Sequence, residues 1–317
     1  RAAASCANEE HPIAPLREPA ALAELGGERL WSASALETWV SCPVRWLVER
    51  VLRADALEGD SEPLARGTLA HAVLRDTLER LRAHTGSARL APASLGAARR
   101  LLEGALREHS ERHLNRLPAE RRAALERRLQ VDLERYLEQA ARVGAPLEPA
   151  HLELEFGSCE QAGEGLPPLD LGEGVLVRGR IDRIDLAPSG EAVVYDYKGR
   201  SAPPGARWAR EGALQLALYM TAVEQLLDRP VAGGFYQPLA GSDLRPRGLL
   251  DAGSPLELDC VRTDRMTHAA MTEIVEDCRT AALTAVAQAR AGELEPRPAT
   301  CAYGGGCAYP EICRCQA

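Results

Sequence analysis

The chain has 317 residues, 45% hydrophobic and 26% charged, with a formal net charge of -8. That balance suits a globular protein with one large or two modest domains, and no run of about 18 apolar residues is present to span a membrane. The negative charge argues against a general polyanion binder, although a locally basic groove and bound cations can serve one in an acidic protein. Nine cysteines, an odd number in a chain of cytoplasmic character, do not read as a disulfide framework. Lys198 is the one lysine among all the basic residues. No Gly-Lys-Ser/Thr is therefore present, which excludes a Walker A loop and places any ATP-driven motor outside these residues. No signal peptide opens the sequence, which starts at Arg1 without methionine and is expected to be part of a longer polypeptide.

In chain order, residues 1 to about 28 are rich in Pro, Ala and Glu without a clear period and read as a linker or an upstream fragment. From Ser32 to Leu52, Ser32 or Ser34 can cap a helix that Cys42-Pro43 interrupts, with helical spacing resuming at Val44. Taken alone, Cys42 reads as a small buried apolar residue. Arg66 to Leu81 is predicted helical from Leu69, Val73, Leu74 and Leu78. His71 lies on that helix one turn past Gly67, and Glu62 precedes it. Residues 94 to 143 form an Arg- and Ala-rich helical stretch broken at Leu117-Pro118. Leu125, Leu129, Leu133 and Leu137 make its buried stripe. Arginines 121, 122, 127, 128 and 135 lie around that stripe, as a solvated face or as a path for a nucleic-acid strand. His151 to Phe156 alternates as a strand, and Glu155 faces either a site or solvent. A loop rich in Gly, Pro and acidic residues follows.

The centre of the sequence is Val175 to Arg200. Two apolar-rich runs flank Pro188-Ser189-Gly190, so the stretch reads as a β-hairpin. Asp182 sits on the first strand, and Asp196 and Lys198 end the second on a shared face, with Tyr197 turned to the other. Pairing about the turn brings Asp182 within reach of Asp196. Two carboxylates together repel unless a cation separates them, and hard oxygen ligands suit Mg²⁺ or Mn²⁺. A lysine beside them can orient or deprotonate an attacking water. A compact ammonium kept in a chain otherwise built with arginine points to a need that guanidinium does not meet. Next, a helix is predicted over 212–227, where Gln215 and Tyr219 share a face. Strands are predicted at 230–239 and 256–261, then a long helix over 267–290. Near the end, Cys301, Cys307 and Cys313 stand six apart in a Gly-, Pro- and Tyr-containing loop, with Cys315 beyond them. Thiolates so spaced can hold zinc or an iron-sulfur cluster.

The pattern G-x-I-D, a turn, then D-Y-K resembles the PD-(D/E)XK nuclease superfamily, and more closely the RecB/AddB-type nuclease domain. The resemblance covers about Ser32 to Cys315 and rests on six motifs in the family's order: C-P, G-x-x-x-H, G-x-I-D, D-Y-K, Q-x-x-x-Y and the terminal cysteines. It implies a restriction-endonuclease-like α/β fold over 29–317: a mixed sheet flanked by helices, a helical insertion at about 92–145, and a clasp joining the two ends. It further implies that His71, Asp182, Asp196 and the Tyr197 carbonyl hold one or two Mg²⁺ (or Mn²⁺) ions, with Lys198 as the catalytic lysine. Gln215 and Tyr219 would lie beside the site and orient metal and DNA. Cys42, Cys301, Cys307 and Cys313 would ligate a [4Fe-4S] cluster, with Cys315 competing for one position. The family's usual terminal spacing is C-x2-C-x5-C; here Gly304 stands where a cysteine is expected, and Cys301 lies further upstream. The implied activity is that of a metal-dependent DNA exonuclease domain, degrading single-stranded ends fed by helicase domains or a helicase subunit during double-strand break repair and recombination. The alternatives are a stand-alone CRISPR-associated RecB-like exonuclease and a non-catalytic DNA-binding or scaffold domain that keeps the fold.

Overall fold

The structure, a computed structural model, describes residues 13–26, 29–53, 62–115, 117–144, 146–158, 165–200, 202–297 and 309–313. Its elements run in the order α1 (Pro19–Gly26), β1 (Leu30–Ser32), α2 (Ala33–Ser41), α3 (Pro43–Trp46), α4 (Glu62–Thr85), α5 (Leu95–His113), α6 (Ala119–Val143), β2 (Glu148–Phe156), β3 (Leu169–Asp170), β4 (Leu176–Leu186), β5 (Ala192–Lys198), α7 (Trp208–Glu211), α8 (Gln215–Leu227), β6 (Val231–Pro238), β7 (Arg247–Asp251), β8 (Arg265–Met266), α9 (His268–Arg290) and α10 (Pro310–Cys313). The expected mixed sheet flanked by helices is present.

The predicted hairpin forms the centre of the sheet. β4 and β5 pair antiparallel from Arg183↔Tyr195 to Leu186↔Ala192, and Gly190 turns between them at φ +90. β5 then pairs parallel with β6, and β7 and β8 complete that side. The long β4 serves two sets of partners. Its start pairs with β1 in parallel and with β3 antiparallel, and its remainder pairs antiparallel with β2. Alternation along the central strands separates two cores. Ile184, Val194 and Tyr236 pack with α2, α8 and α9, whereas Tyr197 and Leu239 pack with α4, α5 and α6. The buried stripe of α6 is the predicted one: Leu125, Leu129, Leu133 and Leu137.

Several boundaries differ from the sequence reading. Part of the stretch read as a linker or an upstream fragment is helix α1, which packs on α9 and buries Leu25. Leu16 N–H donates to the Gly292 carbonyl, so this stretch is tied to the end of α9. Its short Ala/Leu pattern is stabilised by that tertiary contact more than by its own length. The strand expected at 256–261 is absent: Leu256 and Leu258 pack as apolar residues without a ladder. Arg247–Asp251 takes the place beside β6 instead. Glu62 pairs with Arg128 on α6 and has no part in the carboxylate cluster. Arg122 pairs with Glu126, and Arg135 donates to the Gly241 carbonyl. Among the described residues, no helix is long and apolar enough to cross a membrane.

Behind the hairpin lies a buried polar network. Arg183 and Asp185 both sit in the interior and pair at 2.9 Å. The Arg183 guanidinium also donates to the hydroxyls of Tyr136 on α6 and Tyr197 on β5, and it lies 4.2 Å from the Tyr195 ring centroid. Burial pushes the Asp185 carboxyl up to about 6, against the opposing pull of Arg183. The network fastens α6 to the strand that carries Asp182. Arg183→Leu leaves Asp185 without its partner, and breaking a buried pair from one side costs about 3 to 5 kcal/mol. Without the guanidinium, Asp185 favours its protonated form still more strongly. Chemical unfolding should therefore show the larger loss at pH 8 and the smaller at pH 5, and an equal loss at both would contradict this account.

Candidate active site

The site forms where β4 and β5 separate. Their ladder ends at Arg183↔Tyr195, so the groups beyond need other partners. The Asp182 side chain fills this opening, and its Oδ2 accepts the Tyr197 N–H at 2.7 Å. Asp182 and Asp196 are both buried at this split. On the other side of Asp182, the Nδ1 of His71 from α4 lies 3.3 Å from Oδ1. The structure therefore brings together His71, Asp182, Asp196, Tyr197 and Lys198 from α4, β4 and β5.

Gln215 and Tyr219 join them from α8. Lys198 Nζ donates to Gln215 Oε1 at 3.1 Å and contacts Asp196 Oδ2 at 2.6 Å. Gln215 Nε2 in turn donates to the Tyr219 hydroxyl at 3.3 Å. The Lys198 ammonium also lies 5.0 Å from the Tyr236 ring centroid, a cation–π position. The glycine of G-x-I-D has a steric reason. A Cβ on Gly179 would stand 2.7 Å from the ring atoms of both Phe156 and Tyr219. Bare backbone at this point lets the Tyr219 ring settle directly over β4.

One acid of the site was missed in the sequence. Glu153 Oε1 is 3.6 Å from His71 Nδ1, and its Oε2 pairs with Arg180 at 2.9 Å. His71, Glu153 and Asp182 each offer an atom within 4.8 Å of the others, enough to hold a metal ion. Glu153 occupies the break between Leu152↔Arg183 and Leu154↔Ile181, and has the left-handed φ of +51. That conformation is costly for a glutamate, by about 1 to 3 kcal/mol, and such strain persists where the surroundings over-determine it. Glu155, the acid considered from the sequence, pairs across the sheet with Arg180; its side chain is 57% exposed, against 7% for Glu153. Alternation puts both glutamates on one face, and only the register against β4 tells which of them meets Asp182.

The electrostatics call for a cation. Burial opposes the charged form of His71, but Asp182 and Glu153 override it and hold the imidazole up to about 10. Burial first, and Asp182 second, push Asp196 up to about 7. Its Oδ2 touches Lys198 as an ion pair but lacks an aligned hydrogen-bond donor. A divalent cation would compete with the protons on His71 and Asp196 for the same carboxylates. Because the folded pKa of Asp196 lies above that of an unfolded aspartate, the cation-free protein loses stability as pH rises through about 7.

Comparison with known proteins fits this geometry. The profile of the PD-(D/E)XK nuclease superfamily matches residues 30–314. The chain belongs to the PD-(D/E)XK nuclease superfamily. Over 99 residues it is also 39% identical to two proteins from Desulfitobacterium hafniense, strains DSM 10664 / DCB-2 and Y51, each named as a subunit of an ATP-dependent helicase/deoxyribonuclease. That match takes in 29% of this chain and 8% of each relative. PD-(D/E)XK nucleases use divalent metals, and the oxygen-rich donor set here, with one imidazole, suits Mg²⁺ or Mn²⁺.

Of the cysteines singled out in the sequence, Cys42 and Cys313 are described. Cys42 caps the C-terminus of α2, and it shares a buried cluster with Val44 and Cys313. Cys301, Cys307 and Cys315 lie outside the described residues.

Calorimetric titration with Mn²⁺ tests the site. Cation binding must displace protons from His71 and Asp196, so affinity should rise from pH 6 to pH 8 with net proton release. Glu153→Gln should weaken binding about tenfold or more, whereas Glu155→Gln should leave it unchanged. The reverse ranking of the two variants would assign the acid to the wrong residue.

Proposed function

We propose that this PD-(D/E)XK nuclease domain is a Mg²⁺- or Mn²⁺-dependent deoxyribonuclease, the exonuclease part of a helicase–nuclease acting on single-stranded ends in double-strand break repair and recombination. The observation that carries the reading is that the chain's one lysine pairs with Asp196, which feels the charge of Asp182, and Asp182 converges with Glu153 and His71. The names of the two Desulfitobacterium hafniense relatives support the helicase setting.

His71, Asp182, Asp196 and the Tyr197 carbonyl, with Glu153 added from the geometry, would hold the cation. A bound divalent ion supplies Lewis acidity at the phosphoryl oxygen and stabilises charge on the leaving oxygen. The protein's own part lies with Lys198. Burial opposes its charge, but Asp196 and then Glu37 outweigh it, so the ammonium stays protonated. It therefore orients and stabilises rather than abstracting a proton. The ammonium contacts Asp196 and donates to Gln215, and it can also donate to an attacking water or a phosphate oxygen. Gln215 and Tyr219 hold the amine's direction, and the Tyr197 N–H holds that of Asp182.

Lys198→Ala should abolish Mg²⁺-dependent degradation of labelled single-stranded DNA, by at least about 10²-fold, while DNA binding in Ca²⁺ persists. Lys198→Arg should rescue poorly, because a planar guanidinium does not fit a site built for a compact ammonium. Asp196→Ala should lose both metal affinity and cleavage. Equal rates for wild type and Lys198→Ala would end the proposed mechanism and favour the scaffold alternative.

The clasp belongs to the same reading: Cys42, Cys301, Cys307 and Cys313, with Cys315 as competitor, ligate a [4Fe-4S] cluster that fastens the two ends of the domain. Its support is the packing of Cys42 with Cys313 and two further ties between the ends. Arg297 donates to the Val40 carbonyl near the end of α2, and Tyr309 donates to Glu49. Protein purified without oxygen should be brown and contain iron and sulfide, and Cys42→Ala should lose both and unfold more readily. Zinc without iron in that preparation would refute the cluster.

A further inference from the structure

Helix α8 carries Gln215 and Tyr219, yet its own sequence does little to fix its start. Leu214 stands at the N-cap and offers no side-chain acceptor, and the first turn contains no acid. The first amides of a helix have no intrahelical partner. Here the acceptor comes from another element. Glu37, on α2, accepts the Gln215 N–H through Oε1 at 2.9 Å, across 178 residues of sequence. It does so at a cost: burial, partly offset by the Gln215 hydrogen bond and the Lys198 charge, raises the Glu37 pKa. Leu36 and Trp39 on the same helix are wholly buried, so α2 offers a rigid base for this carboxylate.

The residue held in this way is the one that holds the lysine. Gln215 receives the Glu37 carboxylate on its backbone and presents Oε1 to Lys198 Nζ at 3.1 Å from its side chain. We propose that Glu37 is a positioning residue for the reaction, fixing the first turn of α8 so that Gln215 aims the Lys198 ammonium. The inference rests on the nuclease reading above and adds a residue to it. Glu37 is not one of the residues that converge as metal ligands; its charge favours the Lys198 ammonium, and its positioning effect passes through Gln215. An ordinary helix cap would contribute stability alone, whereas this one sets the direction of a catalytic amine.

Reach and charge can be separated at this position. Glu37→Gln keeps an acceptor at the same distance and removes the charge; Glu37→Asp keeps the charge and withdraws the acceptor by one methylene. With the whole chain and single-stranded DNA, Glu37→Asp and Glu37→Ala should lower kcat about tenfold or more with KM little changed, and Glu37→Gln should retain most of the rate. In a Gln215→Ala background the further effect of Glu37→Asp should fall below about twofold, because the residue it acts through is gone. Lys198 gives an independent readout: as the only lysine, it yields a single side-chain signal in protein labelled with [13Cε]lysine. That signal should shift or broaden in Glu37→Asp and stay near its wild-type position in Glu37→Gln. If Glu37→Asp were wild-type in rate and Lys198 signal while Glu37→Gln was impaired, charge rather than position would matter and the proposal would fall. An equal loss of kcat with and without Gln215 would also overturn it. Should the wild-type protein not cleave DNA at all, the nuclease reading fails, and the Lys198 signal still decides for or against the Glu37–Gln215–Lys198 link.

Discussion

Two aspartates are driven into one buried opening at the split between β4 and β5, and the rest of the domain can be understood as managing that repulsion. The fold brings a cationic group to each side of the opening. Lys198 stands against Asp196, and His71 stands against Asp182 and Glu153. Burial and then Asp182 push Asp196 up to about 7, and Asp182 with Glu153 holds His71 up to about 10. A site made only for stability would more often place well-packed apolar residues here. What suits the cluster to a divalent cation is the convergence of His71, Glu153 and Asp182, each offering an atom within 4.8 Å of the others.

The elements around the cluster come from both ends and both faces of the domain. Helix α4 supplies His71 from the same side as the α5–α6 stretch, whereas α8 supplies Gln215 and Tyr219 from the opposite core. The Arg183 network fastens the first side to β4, and Glu37 on α2 fastens the second to Lys198. Helix α2 also ends at Cys42 and receives Arg297 from beyond α9. The contact with Arg297 and, through Gln215, the direction of the lysine therefore rest on one short helix. Its hold on the core is aromatic: Trp39 meets Trp46 edge-on at 4.9 Å, and Trp46 stacks on Trp31 at 5.4 Å.

Much of this was legible in the amino-acid order because its signals are local. A turn between two apolar runs defines the hairpin. The spacing of two within D-Y-K sets Asp196 and Lys198 on one face and Tyr197 on the other, and four residues separate Gln215 from Tyr219 on a helix. The rarity of lysine singled out Lys198 by composition alone. Those rules act over a few residues and hold wherever the segment ends up.

What needed the tertiary structure was every choice between equivalent local options. Glu153 and Glu155 share a face, and strand register, which depends on pairing with β4, chose Glu153 as the partner of His71. The segment 256–261 alternates like a strand, but the place beside β6 went to residues 247–251. Gly179 makes room for the rings of Phe156 and Tyr219, which come from distant parts of the sequence. Glu37 caps α8 from 178 residues away, and a cap supplied at that separation leaves no periodic trace. Periodicity reports which face a side chain occupies. Which neighbour that face meets depends on long-range packing, and packing assembled the carboxylates, the histidine and the lysine into one site.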